Sequence, residues 1–177
     1  MYLHLGSGSR RFPGWINIDA YHHPELDATW DLRMPLPLDD GCCRFIFAEH
    51  LLEHFSAADG ARLCEEFYRL LEPGGVCRLI VPDAAQYWQA YKARDLEWFA
   101  AAAAAGDTPL ASVNGIYYGH FHRWMYDFET LHRALTQAGF ASVRRCGPLQ
   151  SPHPELRLER TDTIRRDSSL YVEAGKT

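Results

Sequence analysis

The sequence predicts an α/β protein of one domain, built on a doubly wound and mostly parallel sheet. Short apolar runs rich in strand-forming residues alternate with helical patterns, as expected for a parallel sheet with helices packed on its faces. The last two apolar runs, Ser142–Cys146 and Ser169–Ala174, follow each other without a helix, which favours an antiparallel pair at one edge. The length of 177 residues suits one domain over 1–177 and is short for two.

Five earlier segments are predicted strands because each is short, apolar and bounded by turn residues. The first is stopped by Gly6, the second ends in Asp19, and the third, which is weaker, ends at Asp31. In order, they are Tyr2–Leu5, Trp15–Asp19, the run ending at Trp30–Asp31, Arg44–Ala48 and Val76–Val81.

Three helical regions are predicted between the strands. Ser56 and Asp59 have the spacing of a capping box at the start of the first helix. A long alanine- and aromatic-rich stretch from Ala84 to Ala105 predicts the second, and Asp127 caps the third. Residues 107–126 have no clear period but are dense in aromatic residues and histidine. We therefore expect 84–126 to cover the substrate site.

Composition argues against several kinds of partner. The net charge is −5, so we expect no nucleic-acid partner, and the isolated Arg10-Arg11 pair fits a solvated surface. No apolar run reaches the roughly 18–20 residues that span a bilayer, so no membrane insertion is expected. Residues 1–20 lack the pattern of a secretory signal. Five cysteines without a CxxC spacing predict reduced thiols and a cytoplasmic location.

The first candidate binding feature is the glycine-rich turn after the first strand. Gly6-Ser7-Gly8 lets the backbone approach a ligand closely, and Asp19 can accept both hydroxyls of a ribose. A dinucleotide site would place a third glycine where this chain has Arg11. Its acidic residue would also lie about 20 residues after the first glycine, later in the chain than Asp19. Both departures weaken the prediction of a dinucleotide site.

The second candidate feature is Trp30-Asp31-Leu32 at the end of the third strand. An adenine ring needs an acceptor for its amine and apolar contacts for its faces, which Asp31 and Leu32 could supply. An acidic residue that only caps a loop would give the same pattern.

Five segments follow one another in a characteristic order, namely Leu3–Gly8, Ile16–Asp19, Trp30–Leu32, Phe47–His54 and Leu70–Gly75. In this order they resemble class I S-adenosylmethionine (SAM)-dependent methyltransferases, near the branch of the ubiquinone and menaquinone biosynthesis enzymes. Tyr126–Phe128 through Gly139–Phe140 resembles a later helix of that family.

The resemblance implies a Rossmann-like sheet of seven strands with an antiparallel last strand, and an enzyme whose cofactor is SAM. It implies that the glycine turn faces the methionine part of SAM, that Asp19 holds the ribose, and that Asp31 and Leu32 hold the adenine. Ala48 and Glu49 would flank the reactive end. The full set of implied cofactor contacts is His4, Gly6, Ser7, Gly8, Asp19, Asp31, Leu32, Ala48 and Glu49.

Two departures from the family pattern leave an alternative open. His4 stands where the family usually has Asp or Glu, and the connection between the first two strands is too short for the usual full helix. A non-catalytic SAM-binding module, or one that a partner completes, is therefore the alternative function. A homodimer through a terminal strand or the alanine-rich helix is a further expectation.

A methyltransferase that acts on oxygen benefits from a base with a pKa near neutrality. Among nine histidines, His120 and His122 are the catalytic candidates because they lie in the aperiodic segment that we expect to cover the site. A structural role for either is the competing interpretation. We expect a small-molecule acceptor or a glycan precursor, with oxygen as the methylated atom.

His50-Leu51-Leu52-Glu53-His54 matches the HxxEH pattern of inverted zinc peptidases. The family resemblance already accounts for Glu53-His54, and no third ligand is identifiable by spacing, so no metal is assigned. A milder alternative is a divalent metal held by His50, Glu53 and His54 that polarises a substrate hydroxyl.

Overall fold

The protein is described by a computed structural model that covers residues 1–160 and 166–177. Its described residues form one seven-stranded sheet in the order β3-β2-β1-β4-β5-β7-β6. The strands are β1 (Tyr2–Leu5), β2 (Ile16–Asp19), β3 (Ala28–Thr29), β4 (Cys43–Glu49), β5 (Leu71–Pro82), β6 (Ser142–Cys146) and β7 (Ser169–Gly175). The helices are α1 (Ala57–Leu70), α2 (Ala84–Ala93), α3 (Leu96–Ala101), α4 (Pro109–Tyr118) and α5 (Phe128–Gln137). Single turns of 3-10 helix span Leu52–His54 and Pro154–Leu156.

The order and direction of the strands confirm the predicted Rossmann-like sheet with an antiparallel last strand. Strands β1 to β5 pair in parallel, and β7 runs antiparallel to both β5 and β6. Because β1 and β7 both lie inside the sheet, each already has a strand on both sides. A second chain could extend the described sheet along its edge strands β3 and β6, and the homodimer stays a prediction.

One face of the sheet is covered by α1 and α5. Phe67 of α1 and Leu131 of α5 are fully buried against strand residues such as Leu5 and Ile46. Ser56 caps α1 as its spacing predicts, since Ser56 Oγ accepts from the Asp59 backbone N–H, but the Asp59 carboxylate accepts from the Ser56 hydroxyl and not from its backbone N–H as in a full capping box. Asp127 caps α5 as predicted by accepting from the Thr130 backbone N–H over 2.8 Å.

The opposite face is covered mainly by side chains from connections. Among the described residues, Phe12 and Trp15 from the β1–β2 connection and Leu156 from the 3-10 turn pack there against Phe47 and Ile80. Phe12 stands in edge-to-face contact with Phe47, with ring centroids 5.5 Å apart. Large aromatic side chains bury enough area to replace the helix that this short connection has no room to form.

The predicted helix from Ala84 to Ala105 is wrong as a single element. Arg94 adopts a left-handed conformation (φ 55°) that ends α2, and the Asp95 carboxylate then caps α3. A second correction concerns 107–126, where no helix was predicted and α4 forms. Its N-terminus is set by Thr108, which caps the helix, and by Pro109 at the first turn.

Helices α2, α3 and α4 form a separate cluster over the carboxyl ends of the central strands. Tyr87, Phe99 and Ile116 are buried within it. The cluster is attached to the sheet domain where the backbone N–H groups of Arg123 and Trp124 donate to the Glu53 carbonyl over 2.8 and 3.2 Å. None of the helices in the described parts of the chain is both long and apolar enough to span a membrane.

Candidate cofactor and acceptor site

Two cavities open at the carboxyl ends of the parallel strands, where ligands bind in open α/β sheets. One has a volume of about 190 Å³ and lies at the glycine turn after β1. We call it the donor cavity. The other has a volume of about 230 Å³ and lies beneath the helical cluster. We call it the acceptor cavity. His50 lines both.

The donor cavity is shaped by a backbone that only glycine adopts without strain. Gly6 has φ +67°, and a Cβ atom there would lie 2.7 Å from Cδ1 of Leu51. Gly8 has φ +54°, and its added Cβ would meet nothing within 4 Å, so its exposed side faces open space. The glycine turn thus presents bare backbone to a ligand, as the sequence predicted.

Asp19 holds the glycine turn in place. Its Oδ2 accepts from the Gly8 backbone N–H over 2.8 Å, and its Oδ1 accepts from the Tyr21 N–H over 3.0 Å. The Gly6 and Ser7 N–H groups both donate to the carbonyl of Ile18. Asp19, the predicted contact for the ribose, therefore lies next to the glycine turn that is predicted to face the methionine part of SAM.

The chemistry of the donor cavity fits the polar end of an amino acid ligand. Ser7 Oγ is buried and has no hydrogen-bond partner among the described residues. Arg10 and the backbone of Arg160 lie beside it, and the Arg10 guanidinium pairs with Glu49 over 3.1 Å. An unpartnered hydroxyl and a cation are suitable partners for a carboxylate such as that of SAM.

His4 lines this cavity as a neutral ring. Burial lowers its pKa to about 4, against the raising effect of its hydrogen bond with Asn17. Nδ1 donates to Asn17 Oδ1 over 3.0 Å, and the ring stacks on Phe12 at a centroid distance of 4.0 Å. His4 therefore does not supply the negative charge that the family usually places here.

The remaining predicted cofactor residues lie outside the lining of the donor cavity. Asp31 is exposed and paired with Arg33, whose hydrogen bonds lower the pKa of Asp31 to about 2. Leu32 is buried in the core, and Ala48 is buried at the end of β4. The structure thus brings together His4, Gly6, Ser7, Gly8 and Glu49, joins Asp19 to them through Gly8, and leaves Asp31, Leu32 and Ala48 apart.

The acceptor cavity is rich in imidazole. Its walls come from the HxxEH segment below and from the helical cluster above. They include His50, Glu53, His54, Tyr87, Ile116, His120, Phe121 and His122. Both predicted catalytic histidines therefore line one cavity, together with the segment that sequence analysis considered for a metal.

Glu53 is the fully buried centre of this imidazole group. Its Oε1 accepts from Nδ1 of His50 over 3.1 Å and lies 3.9 Å from Nε2 of His122. Burial alone would raise the pKa of Glu53, but the hydrogen bond and positive potential from His50 outweigh it and lower that pKa. Glu53 Oε2 has no hydrogen-bond partner among the described residues.

His122 and His54 approach Glu53 from two different segments. Burial lowers the pKa of His122 to about 4, so the ring is neutral at physiological pH. The ring centroids of His54 and His122 are 5.0 Å apart, and those of His120 and His122 are 5.6 Å apart. One ligand atom from each of Glu53, His54 and His122 lies within 4.8 Å of the others.

Sequence reasoning missed three residues at these cavities. Arg10, expected on a solvated surface, is half-buried against Glu49 and the Phe12 ring. Arg160 reaches the donor cavity because its N–H donates to Glu49 Oε1 over 3.2 Å. His50 was considered only for a metal, although its position directly after β4 could have indicated the boundary between two ligands.

Comparison with known proteins agrees with this geometry. The family model described as "Methyltransferase domain" matches residues 18–79, which run from β2 into β5. No curated protein matches the chain.

Solved structures of SAM-dependent methyltransferases share the fold. One from Archaeoglobus fulgidus is 14% identical with a TM-score of 0.62, covering 99% of this chain and 85% of that one. One from Methanosarcina mazei is 16% identical with a TM-score of 0.58, covering 99% and 91%. A chain from a Haloferax volcanii complex of a methyltransferase with the Trm112 activator is 16% identical with a TM-score of 0.60, covering 98% and 81%.

The fold and the family match bear on different parts of the prediction. At these identities, the solved structures establish the Rossmann-like fold alone. The match to the methyltransferase domain concerns activity. It confirms the predictions that this chain is a SAM-dependent methyltransferase resembling class I and that its cofactor is S-adenosylmethionine.

Proposed function

We propose that this methyltransferase acts on a hydroxyl oxygen of a small molecule or glycan precursor that binds in the acceptor cavity. One observation carries the proposal, namely that a donor cavity and an imidazole-lined acceptor cavity share His50. Direct methyl transfer requires the nucleophile and the methyl carbon to meet at about 3–3.5 Å. Two cavities that share a wall allow this approach.

The donor side of the proposal assigns SAM to the glycine turn. When bound, SAM supplies a methyl group on a positively charged sulfur that leaves readily. Gly6, Ser7 and Gly8 would hold its amino acid end, with His4 and Glu49 beside it, and Asp19 would exchange its backbone hydrogen bonds for the ribose hydroxyls. Asp31, Leu32 and Ala48 remain the proposed contacts for the adenine and the reactive end.

The acceptor side assigns proton removal to the histidines of the helical cluster. Burial lowers the pKa of His122 to about 4, which keeps the ring neutral but weakens it as a base, and the Glu53 carboxylate 3.9 Å away opposes this effect by stabilising the protonated ring. His120 is exposed at the same cavity and could pass the proton to water. The segment 84–126 would thereby cover the substrate and contribute these two catalytic side chains.

A product assay tests this proposal. The protein is incubated with methyl-labelled SAM and a panel of hydroxylated sugars and phenols, and label transfer is measured with S-adenosylhomocysteine release. We expect an O-methyl product, and loss of at least about 100-fold in rate when His120→Ala and His122→Ala are combined. Undiminished turnover by that double variant would exclude the assigned base.

The alternative is a SAM-binding module that does not methylate or that needs a partner. The helix-free β1–β2 connection favours it, and one similar structure is a complex with an activator. Tight binding of SAM without label transfer to any acceptor would support this alternative. An acceptor cavity next to the donor cavity favours catalysis.

Three finer predictions accompany the proposed activity. Placement near the ubiquinone and menaquinone branch stays a prediction. A cytoplasmic location is proposed because the five cysteines are free thiols, which a reducing compartment preserves. A homodimer through a terminal strand or through the alanine-rich helical region also stays a prediction.

A further inference from the structure

The acceptor cavity contains a cluster that the proposed proton transfer does not fully use. Glu53 and His54 come from the 3-10 turn after β4, and His122 comes from the segment that follows α4. One ligand atom from each lies within 4.8 Å of the other two. We propose that Glu53, His54 and His122 bind a divalent transition metal, of which Zn²⁺ fits best, in the wall of the acceptor cavity.

The first argument is an unpaired buried oxygen. The Glu53 side chain is 0% exposed, and its Oε2 has no hydrogen-bond partner among the described residues. Leaving a buried polar atom without a hydrogen bond destabilises the fold, and the cost is larger for a charged group. His122 Nδ1 is likewise buried without a partner there. A bound cation would satisfy this carboxylate, which the protein otherwise buries at a cost.

The second argument is the type of ligand atom. Two imidazoles and one carboxylate form a ligand set typical of catalytic zinc, with a fourth position left open. Magnesium prefers oxygen ligands and retains several waters, so it suits this set less well. The open position would face the cavity, because all three residues line it.

The third argument is how the ligands are held. His50 Nδ1 donates to Glu53 Oε1 over 3.1 Å, which orients the carboxylate as outer partners of metal ligands do. The Arg123 and Trp124 N–H groups both bond the Glu53 carbonyl, which fixes the His122 segment next to Glu53. Zinc bonds of about 2.0–2.2 Å require the ligand atoms to move together by roughly 1 Å. His54 can make this movement by rotating its side chain, because it is exposed.

The expected consequence rests on the proposed function. A hydroxyl of the acceptor would occupy the open position, where the metal favours loss of its proton. In the metal-bound protein His122 would be a ligand and not the base, so the proton would pass to His120 and from there to solvent. The oxygen would form the new O–CH₃ bond as the C–S bond of SAM breaks, giving S-adenosylhomocysteine. The inferred acceptor class is therefore an alcohol or phenol rather than an amine.

Metal titration of the whole protein tests the site without cofactor or acceptor. Chelator-treated protein is titrated with Zn²⁺ by calorimetry and with Co²⁺ by visible absorption, which reports a tetrahedral environment. We expect one saturable site with a Kd of about 1 µM or lower, weakened at least about 10–100-fold in His54→Ala and in His122→Gln. His132→Gln is the matched control, since His132 is an exposed histidine on α5.

Each outcome bears on the site separately from the proposed activity. His54→Ala changes an exposed side chain, so its loss of metal binding cannot be attributed to unfolding, and circular dichroism verifies the fold of each variant. Absence of saturable binding at about 100 µM Zn²⁺, or equal affinity in wild type and both variants, would overturn the metal site. Metal binding without O-methylation would leave the site standing and contradict only the proposed function.

Discussion

His50 donates a hydrogen bond through Nδ1 to Oε1 of Glu53 over 3.1 Å, and its ring lies between the donor and acceptor cavities. Nε2 on the other side of the ring lies 3.1 Å from Ser169 Oγ. The backbone of His50 has φ 52°, a left-handed conformation that only a few per cent of non-glycine residues adopt, histidine more often than most. A strained backbone with both ring nitrogens engaged fixes this side chain where the two substrates would meet.

The first prediction is that His50 acts as a positioning residue for Glu53. We expect His50→Ala to lower kcat by about 10–100-fold while the KM for SAM changes much less. His50→Asn should recover part of kcat, because asparagine tolerates the left-handed backbone and can donate to Glu53. Steady-state kinetics with both substrates varied measures this. Equal changes of kcat and of the KM for SAM, without rescue by asparagine, would indicate a general loss of structure instead.

The second prediction concerns Asp19 and the cofactor. The Asp19 carboxylate holds Gly8 in the free protein and is proposed to accept the ribose hydroxyls when SAM binds, so Asp19→Ala would remove both the preformed turn and a ligand contact. We expect calorimetry to show a Kd for SAM and S-adenosylhomocysteine raised about 100-fold. Asp39→Ala removes the same charge from an exposed position and should bind like wild type. Unchanged affinity in Asp19→Ala would remove Asp19 from the site.

The sheet was predictable from sequence because its signals are local. Tyr2–Leu5 is apolar and is stopped by glycine, and the missing helix before Ser169 correctly predicted the antiparallel pair. Helix α4 was missed because Asn114 and Gly115 interrupt an otherwise apolar segment, which hides the helical period. The break at Arg94 has neither glycine nor proline to mark it.

From the sequence, residues of the site could be grouped only where they lie close together in the chain or where the order of the family's motifs links them. The glycine turn and Asp19 could be paired because family order links them, and the structure joins them by one hydrogen bond. The proximity of Glu53 and His122 depends on how the helical cluster folds over the sheet, and backbone bonds from Arg123 and Trp124 to Glu53 establish it. No spacing in the sequence encodes that contact, so His122 could be proposed as a base but not as a partner of Glu53.

The third prediction concerns a buried ion network on the sheet face that lacks long helices. Arg78 is 0% exposed, pairs with Glu173 over 2.9 Å and with Glu159, and donates to the carbonyl of Gly147 over 2.8 Å. It thereby fastens the connection after β6 to the sheet. Because Arg78→Met leaves two buried carboxylates without this cation, we expect a loss of about 3–5 kcal/mol in the free energy of unfolding.

Urea unfolding measures this loss, and the exposed pair of Arg62 with Asp59 provides the control. Arg62 is 66% exposed, so Arg62→Met should change the free energy of unfolding by about 0.5 kcal/mol or less. Combining Arg78→Met with Glu159→Gln should destabilise less than the sum of the two single changes. Strict additivity would show that the two side chains do not depend on each other.

The fourth prediction is that His4 and His122 make the fold sensitive to mild acid. The pKa of each ring falls from 6.5 to about 4 on folding because of burial. The unfolded chain therefore binds protons first as pH falls, and the stabilisation from each neutral ring is complete above 6.5 and lost between 6.5 and 4. For each ring, this linkage amounts to about 2 kcal/mol at pH 5. Urea unfolding of chelator-treated protein at pH 7 and pH 5 should show His4→Gln losing about half of the wild-type difference, and the double variant with His122→Gln losing most of it. His22→Gln, at an exposed histidine, should retain the whole difference, and an unchanged difference in His4→Gln would show that folding does not lower the pKa of His4.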